Sequence, residues 1–188
     1  MNIIVFRHNG CYYFRPDNTF TKGESGIFYL PGTIPQIEIV PALIAKVDRA
    51  AKGLSRQFAH RYIAKYSYGL LIYPETKECS IRDTLRTTLD NTTYISDNFV
   101  PIESMLEDCD LTLTVDNQAY LYKVISSNIR ESISLLAERV TLYSSLKTGD
   151  LLCLELKPQT IEAPILTGVG SSLSLSVGKD EILNIQIK

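Results

Sequence analysis

Short runs of apolar residues, broken by turn residues, cover most of this 188-residue chain. The segments LTLTV (111–115) and SLSLSV (172–177) alternate strictly between apolar and polar residues, which is typical of strands buried on one face. Pro31-Gly32 marks a turn after another such run. The pattern predicts a mostly β protein. The predicted strands cover residues 2–6, 11–14, 27–30, 37–47, 68–73, 111–115, 119–124, 151–156, 172–177 and 182–187.

Two segments show helical spacing instead. Ser55 can cap a first helix, and a second can begin near Asn128, where Glu131 completes a capping box. The apolar face of the first helix would be Phe58, Ala59, Tyr62, Ile63 and Tyr66. That of the second would be Ile129, Ile133, Leu136, Val140 and Tyr143. Residues 75–98, rich in Thr, Asp and Arg, are predicted to be a loop. Pro41 predicts a sheet edge or a bulge within 37–47.

Composition indicates an ordinary globular protein, expected to form one domain over residues 1–188. Apolar residues make up 45% and charged residues 21%, and the net charge of −2 offers no general attraction to nucleic acid or an anionic membrane. No apolar run approaches the ~18 residues of a membrane span, and the start does not look like a secretory signal. The scattered cysteines indicate cytoplasmic thiols, and with only His8 and His60 no zinc cluster is expected.

Several segments, taken in order, resemble the fumarylacetoacetate hydrolase family, in its small single-domain type that includes acylpyruvases and hydroxyhepta-diene-dioate isomerase-like proteins. The segments are FRPDNTF (14–20), FYLP (28–31), ALIAKVDRAAKGLSRQFAHRYIAKYSYGL (42–70), NFVPIE (98–103), LTLTVDNQ (111–118), LKTGDLL (146–152) and VGKDEILNIQIK (177–188). The resemblance implies a mostly β, α+β fold: a mixed β-roll or sandwich around a central pocket, with two packed helices. It also implies a homodimer.

The family cleaves or rearranges a carbon–carbon bond beside a carbonyl in a diketo acid, with the help of Mg²⁺ or Mn²⁺. Such hard cations take oxygen ligands. The resemblance places the family's two glutamates and one aspartate at Val40, Ala42 and Leu71, none of which has a lone pair to offer. A bulge at Pro41 could bring Glu38 back as one ligand, but not three. We therefore expect no metal, no cofactor and no catalytic residues of the family's kind.

Four polar residues remain as candidates for a vestigial pocket that binds a small organic acid. Arg7 is similar to an arginine of the family's N-terminal segment, and Arg15 stands where the family has a pocket lysine. Asp17 and Glu38 are candidate site carboxylates, although a turn and a solvated strand edge explain them equally well. Glu155 is predicted to lie at an exposed strand end.

These observations leave three hypotheses open. In the first, the chain is a catalytically degenerate relative of the family with a residual role in binding a small acid or in assembly, as a homodimer or with an active paralogue. In the second, it is a working hydrolase or isomerase of a small keto acid that uses Arg15, Asp17 and Glu38. In the third, it is a purely structural subunit.

Overall fold

The computed structural model describes residues 1–7, 10–23, 25–104, 108–159 and 163–188, without the side chains of Cys79 and Glu103. Within these ranges the α-helices are α1 (Cys79–Thr88) and α2 (Ser126–Tyr143). The strands of the described residues are β1 (Ile3–Phe6), β2 (Tyr12–Arg15), β3 (Phe20–Lys22), β4 (Ser25–Phe28), β5 (Gln36–Val47), β6 (Ile63–Glu75), β7 (Thr93–Ile95), β8 (Val100–Pro101), β9 (Cys109–Val115), β10 (Gln118–Val124), β11 (Leu151–Glu155), β12 (Leu166–Thr167), β13 (Ser172–Val177) and β14 (Asp180–Ile187).

The strands form two sheets, which confirms the predicted mostly β class. The larger sheet has the order β2-β1-β11-β5-β6-β7-β3, with β12 paired to β5 and β8 paired to β6. The smaller sheet has the order β10-β9-β13-β14-β4. Apolar side chains from both sheets and from α2 share one main core. Neither of the helices described here has both the length and the hydropathy that crossing a membrane requires.

Strands β5 and β6 are the long central pair of the larger sheet, and their antiparallel register sets its two faces. Val40 lies opposite Leu71, and Ala42 lies opposite Gly69. Because successive side chains of a strand point to opposite faces, alternate residues of β5 enter different clusters. Leu43 belongs to the main core, whereas Ala42 belongs to a smaller group on the other face. This second apolar cluster consists of Ile3, Val5, Ala42, Ile44, Leu71, Tyr73, Ile95, Leu151 and Cys153.

Pro41 lies where β5 changes neighbours. Its carbonyl accepts a bond from Leu156 N just beyond the end of β11, while β12 pairs with β5 only at Ile37 and Glu38. Pro41 has no N–H to donate, and it lies between the part of β5 that pairs with β11 and the part that pairs with β12. This is the position expected for a proline at a local sheet edge. The predicted bulge is wrong at this position, because the register of β5 shifts only at Lys46/Val47.

Two predicted elements are wrong. The predicted first helix is only a short 3-10 helix, Arg56–Arg61, after which β6 begins at Ile63. The run after Ile63 pairs with β5 over its length, and this pairing overrides the helical spacing. The predicted loop at 75–98 contains α1 and β7. Helix α1 is polar on average and largely exposed, and its narrow apolar row at helical spacing, Ile81, Leu85 and Leu89, was the signal that could have predicted it.

Helix α2 is confirmed, with changes at both ends. It begins at Ser126, two residues before the predicted start, and the Ser126 amide donates to Asp108 Oδ1 at 3.0 Å. The first residues are thus capped by a distant carboxylate instead of a capping box. Ile129, Ile133, Leu136 and Val140 are buried as predicted. The prediction that Tyr143 belongs to the buried face is wrong, since its side chain is 79% exposed at the end of the helix.

Gly69 provides a test of this packing. A Cβ atom at Gly69 would lie 2.2 Å from the Tyr94 carbonyl oxygen and 2.5 Å from Ile44 Cδ1. The Tyr94 carbonyl oxygen is a backbone atom of the neighbouring strand β7, so it cannot move away by a change of rotamer. We therefore expect Gly69→Ala to lower the free energy of unfolding by about 3 kcal/mol, as overpacked cores do. Urea denaturation measures the loss.

The matched control is Gly32→Ala, because a Cβ atom at Gly32 would meet nothing within 4 Å. This change should alter the free energy of unfolding by less than about 0.5 kcal/mol. Equal stability of the two variants would show that β6 and β7 are not packed as described.

Candidate functional site

The three positions that the resemblance pairs with metal ligands lie together in the second apolar cluster. Val40 and Leu71 face each other across β5 and β6, and Ala42 follows on the same face of β5. Ala42 and Leu71 have no exposed surface, and Val40 is partly buried against them. Aliphatic carbon therefore fills this place, and water does not reach Ala42 or Leu71.

A polar group lies beside the second apolar cluster, centred on Tyr73. We call it the Tyr73 cluster; it consists of Arg7, Tyr13, Arg15, Glu38, Tyr73, Glu75, Arg86 and Glu155. The Tyr73 hydroxyl donates to Glu155 Oε1 at 2.6 Å, and the hydroxyls of Tyr13 and Tyr73 are 2.5 Å apart. Three guanidinium carbons lie near the Tyr73 ring centroid, at 5.6 Å for Arg7, 4.9 Å for Arg15 and 5.1 Å for Arg86. Each distance is in the range of a cation–π contact.

Arg15 is only 1% exposed, and its side chain is bound by the protein itself. Its Nη1 donates to Thr92 O at 2.9 Å and to Thr93 Oγ1 at 2.7 Å. Its Nη2 donates to Ile72 O at 2.8 Å and to Arg86 O at 3.0 Å. One guanidinium thus ties β2 to β6, to α1 and to the segment before β7. These bonds occupy both terminal nitrogens, so Arg15 acts as a structural link between elements.

The charges of the Tyr73 cluster balance. Arg86 Nη2 lies 2.5 Å from Glu38 Oε2, and the other terminal nitrogen of Arg86 bonds Glu75. Arg7 Nε lies 3.6 Å from Glu155 Oε1. Three arginines therefore accompany three glutamates. Because an unpaired charge is costly to bury, this pairing allows the carboxylates to stay next to an apolar cluster.

Burial shifts the pKa values of the groups in and beside this cluster. It raises the pKa of Tyr13 to about 12 and that of the fully buried Cys153 to about 12. Burial also holds the pKa of Tyr73 well above its ordinary value, and the charges of Tyr13 and Glu155 add to the effect. For Arg7, burial is the largest single effect and acts to lower the pKa, but the attractions of Glu155, Tyr73, Tyr13 and Glu38 together outweigh it and the pKa is raised. The tyrosines therefore remain neutral donors and Arg7 remains a cation.

The structure brings together three of the four candidate residues. Arg7, Arg15 and Glu38 meet around Tyr73. Asp17 is not among them, since it is exposed in the 3-10 helix Asp17–Thr19 after β2. Glu38 is not a solvated edge residue, because its side chain is 18% exposed and bound to Arg86. His8 lies outside the described residues, and His60 lies on the exposed side of the 3-10 helix Arg56–Arg61.

Sequence reasoning missed several members of the Tyr73 cluster. The prediction for Glu155 is wrong: it is 8% exposed and lies opposite Ala42 in the register of β11 and β5. Its period-two spacing from Leu151 and Cys153, both in the second apolar cluster, was the signal that could have placed it. Arg86 carried no such signal, because it lies on α1, which was predicted to be loop.

The donor set does not fit Mg²⁺ or Mn²⁺. These cations require several oxygen ligands converging on one point. Each glutamate of the Tyr73 cluster is paired with a guanidinium, and the positions corresponding to the family's ligands carry only carbon. Within the part of the chain that is described, no three His, Cys, Asp or Glu side chains are placed to hold a metal ion.

Comparison with known proteins identifies the fold. The sequence matches no protein-family model, and no curated protein matches it either. Solved structures do match over nearly the whole chain. The 2-hydroxyhepta-2,4-diene-1,7-dioate isomerase of Mycobacterium marinum aligns with a TM-score of 0.79 and 14% identity, covering 99% of this chain and 73% of its own.

Two further structures extend this result. Maleylpyruvate hydrolase of Sphingobium sp. SYK-6 aligns with a TM-score of 0.75 and 11% identity, over 100% of this chain and 71% of its own. A candidate fumarylacetoacetate hydrolase family protein of Yersinia pestis CO92 aligns with a TM-score of 0.73 and 14% identity, over 100% of this chain and 92% of its own. The chain therefore has the fold of fumarylacetoacetate hydrolase-like proteins, and the predicted resemblance is confirmed at the level of fold.

The role of Arg15 can be tested by Arg15→Met. This change leaves the carbonyls of Ile72, Arg86 and Thr92 without their charged donor in a buried place. We expect the free energy of unfolding to fall by about 3 to 5 kcal/mol, the usual cost of breaking a buried charged network. The control is Arg49→Met at an exposed position, which should change stability by less than about 0.5 kcal/mol. Comparable effects in a denaturation experiment would contradict the structural role.

The raised pKa of Tyr13 predicts a loss of stability at alkaline pH. The folded protein keeps this hydroxyl protonated until its pKa of about 12, whereas the unfolded chain releases the proton near the ordinary value of 10.0. The stability that the neutral hydroxyl contributes is complete below pH 10.0 and is lost as pH rises towards about 12. We expect the free energy of unfolding to fall over this window, and less steeply in Tyr13→Phe.

Urea denaturation at several pH values measures the slope. Burial also raises the pKa of Tyr94 to about 12, so Tyr13→Phe should reduce the slope without abolishing it. Tyr29→Phe, at a position 70% exposed, controls for the loss of a hydroxyl. An unchanged slope in Tyr13→Phe would be inconsistent with a buried, neutral Tyr13.

Proposed function

We propose that this chain is a catalytically silent form of the fumarylacetoacetate hydrolase-like fold. The observation that carries the proposal is the aliphatic filling of one place by Val40, Ala42 and Leu71. In the family that the sequence resembles, this place holds a divalent cation that stabilises the charge developing on a diketo acid. Carbon atoms supply neither a ligand for the cation nor a substitute for its charge.

The surrounding electrostatics support the same proposal. Clustered carboxylates without a cation repel one another in a low dielectric, and this repulsion destabilises the folded protein. Replacement by Val, Ala and Leu removes that cost at three positions. The carboxylates that remain nearby, Glu38 and Glu155, are neutralised by arginines of the chain itself. A cation is therefore no longer needed for charge balance.

The remaining role that we propose is non-catalytic: binding a small organic acid, or assembly in the cytoplasm as a homodimer or with an active paralogue. Arg7 is the candidate for contact with an acid, because its side chain is 36% exposed and its bond to Glu155 is long, at 3.6 Å. Arg15 is less suited, since the protein's own oxygens occupy its terminal nitrogens. Asp17 lies apart, on the exposed turn after β2.

One observation favours the second hypothesis, a working hydrolase or isomerase of a small keto acid. Tyr13, Tyr73 and Glu155 form a continuous chain of short hydrogen bonds beside Arg7. Such a chain can pass a proton between a carboxylate and a bound molecule. The residues would then differ from the Arg15, Asp17 and Glu38 expected from the sequence.

Metal binding and turnover together separate the two candidates. We expect calorimetric titration with Mg²⁺ and Mn²⁺ to show no saturable binding at micromolar concentrations. We also expect acylpyruvates, followed by loss of their enol absorbance, to be unchanged by the protein with or without added metal. The reason is that no side chain at Val40, Ala42 or Leu71 can coordinate a cation.

Two outcomes would contradict the proposal that the protein is catalytically silent. Micromolar Mn²⁺ binding that is lost in Glu38→Gln or Glu155→Gln would indicate a metal site built from other residues. Turnover without metal that disappears in Tyr73→Phe would favour the hydrogen-bonded chain as working groups. Asp17→Asn, at an exposed position outside the Tyr73 cluster, is the control for both measurements.

A further inference from the structure

Helix α1 covers one side of the Tyr73 cluster through the side chain of Arg86. The guanidinium carbon of Arg86 lies 5.1 Å from the centroid of the Tyr73 ring. The two terminal nitrogens bind different carboxylates, Glu38 on β5 and Glu75 on β6. The Arg86 side chain is 21% exposed, so most of its surface is removed from water. Arg86 thus covers the aromatic ring and neutralises two glutamates at once.

The three groups that hold Arg86 form a site on the central strands. Tyr73 and Glu75 are two residues apart on β6, so their side chains lie on the same face. Glu38 lies opposite Tyr73 in the register of β5 and β6, which brings it to that face too. An aromatic ring beside two carboxylates suits a guanidinium, whose plane stacks on the ring while its nitrogens bind the oxygens. We call Glu38, Tyr73 and Glu75 the guanidinium site.

The apolar attachment of α1 to the rest of the protein is weak. The helix has ten residues, and isolated helices of that length are only marginally stable in water. Its N-cap residue, Glu78, makes no side-chain capping bond. Ile81 is 41% exposed, and Leu85 and Leu89 are only partly buried against the main core. The position of α1 therefore depends strongly on the ion pairs of Arg86.

Arg86 is not fully satisfied in this closed position. Within the part of the chain that the structure describes, its Nε is buried without a hydrogen-bond partner. Such a donor favours opening, because water can bind it once it is exposed. Two further bonds reach the last turn of α1, from Arg15 Nη2 to Arg86 O and from Asn18 Nδ2 to Thr88 O at 3.1 Å. Both end on backbone carbonyls, so they do not require an arginine side chain at position 86.

We propose that α1 is a strap whose Arg86 occupies the guanidinium site as an internal ligand. Opening of α1 frees the site for an external guanidinium group, the side-chain chemistry of arginine. Glu38 and Glu75 repel an anion, and an ammonium group lacks the planar fork that binds two carboxylates while stacking on a ring. In the closed protein the tethered Arg86 competes at a high effective concentration and excludes a free ligand. The inference does not depend on catalytic silence, because it concerns opening and binding and not turnover.

Amide hydrogen exchange of Arg86→Ala tests whether α1 opens as a separate unit. We expect the amides of α1 to exchange about tenfold or more faster than in the unmodified protein, because two charge-assisted bonds are lost. The protection of β5 and β6 should be unchanged, since local opening leaves the central strands paired. Arg82→Ala is the matched control: it is the same substitution on the same helix, outside the guanidinium site, and should leave the exchange of α1 unchanged.

Titration of Arg86→Ala with ethylguanidinium, followed by NMR chemical shifts, tests the ligand class. We expect saturable binding at millimolar concentrations, because the probe replaces the missing end of the side chain. Propylammonium, which has one compact charged group, should bind about tenfold or more weakly. The unmodified protein and Arg82→Ala should bind no ethylguanidinium at these concentrations, since Arg86 already occupies the site.

Glu75→Gln keeps the test independent of whether Arg86→Ala folds. It retains Arg86 and removes one charge at a side chain that is 29% exposed, so α1 alone should exchange faster. The proposal is overturned if α1 exchanges in the folded variants as it does in the unmodified protein, or if β5 and β6 lose protection to the same extent. It is also overturned if ethylguanidinium does not bind Arg86→Ala saturably, or binds no more tightly than propylammonium.

Discussion

The antiparallel pairing of β5 with β6 is the constraint on which this structure depends. A slip of one residue would exchange the two faces of each strand, so the register decides which side chains meet. In the observed register Val40 faces Leu71, and Ala42 faces Gly69. Gly69 allows the backbone of Tyr94 to approach closely. The result is a small, buried aliphatic cluster at the positions that the sequence resemblance pairs with the family's metal ligands.

The polar side chains around that cluster follow from the same arrangement. Glu38 and Tyr73 lie opposite each other on β5 and β6, and Glu155 lies opposite Ala42 on β11. Their charges and hydroxyls need partners because the neighbouring cluster excludes water. Arginines from β2 and α1 provide them: Arg15 stacks on Tyr73, and Arg86 binds Glu38. These guanidinium groups supply the positive charge that offsets the glutamates.

The sequence allowed the strands to be predicted well, because LTLTV and SLSLSV follow the period of a half-buried sheet. Helix α1 was not predicted, because its narrow apolar row of Ile81, Leu85 and Leu89 stands among many Thr, Asp and Arg residues. Helical spacing at Ile63 and Tyr66 was misleading, because pairing with β5 determines their conformation. At the candidate site, Arg7, Arg15 and Glu38 could be found from the resemblance. Glu155 could have been found from its period-two spacing from Leu151 and Cys153. Tyr73 could not, since its position depends on contacts between strands distant in sequence.

Carbon, and not oxygen, occupies the positions that the resemblance pairs with the family's metal ligands. The most direct test is an anomalous difference map from crystals of the protein grown with Mn²⁺. We predict no anomalous peak beside Val40, Ala42 and Leu71. A strong peak there, with oxygen ligands from Glu38 or Glu155, would contradict the account.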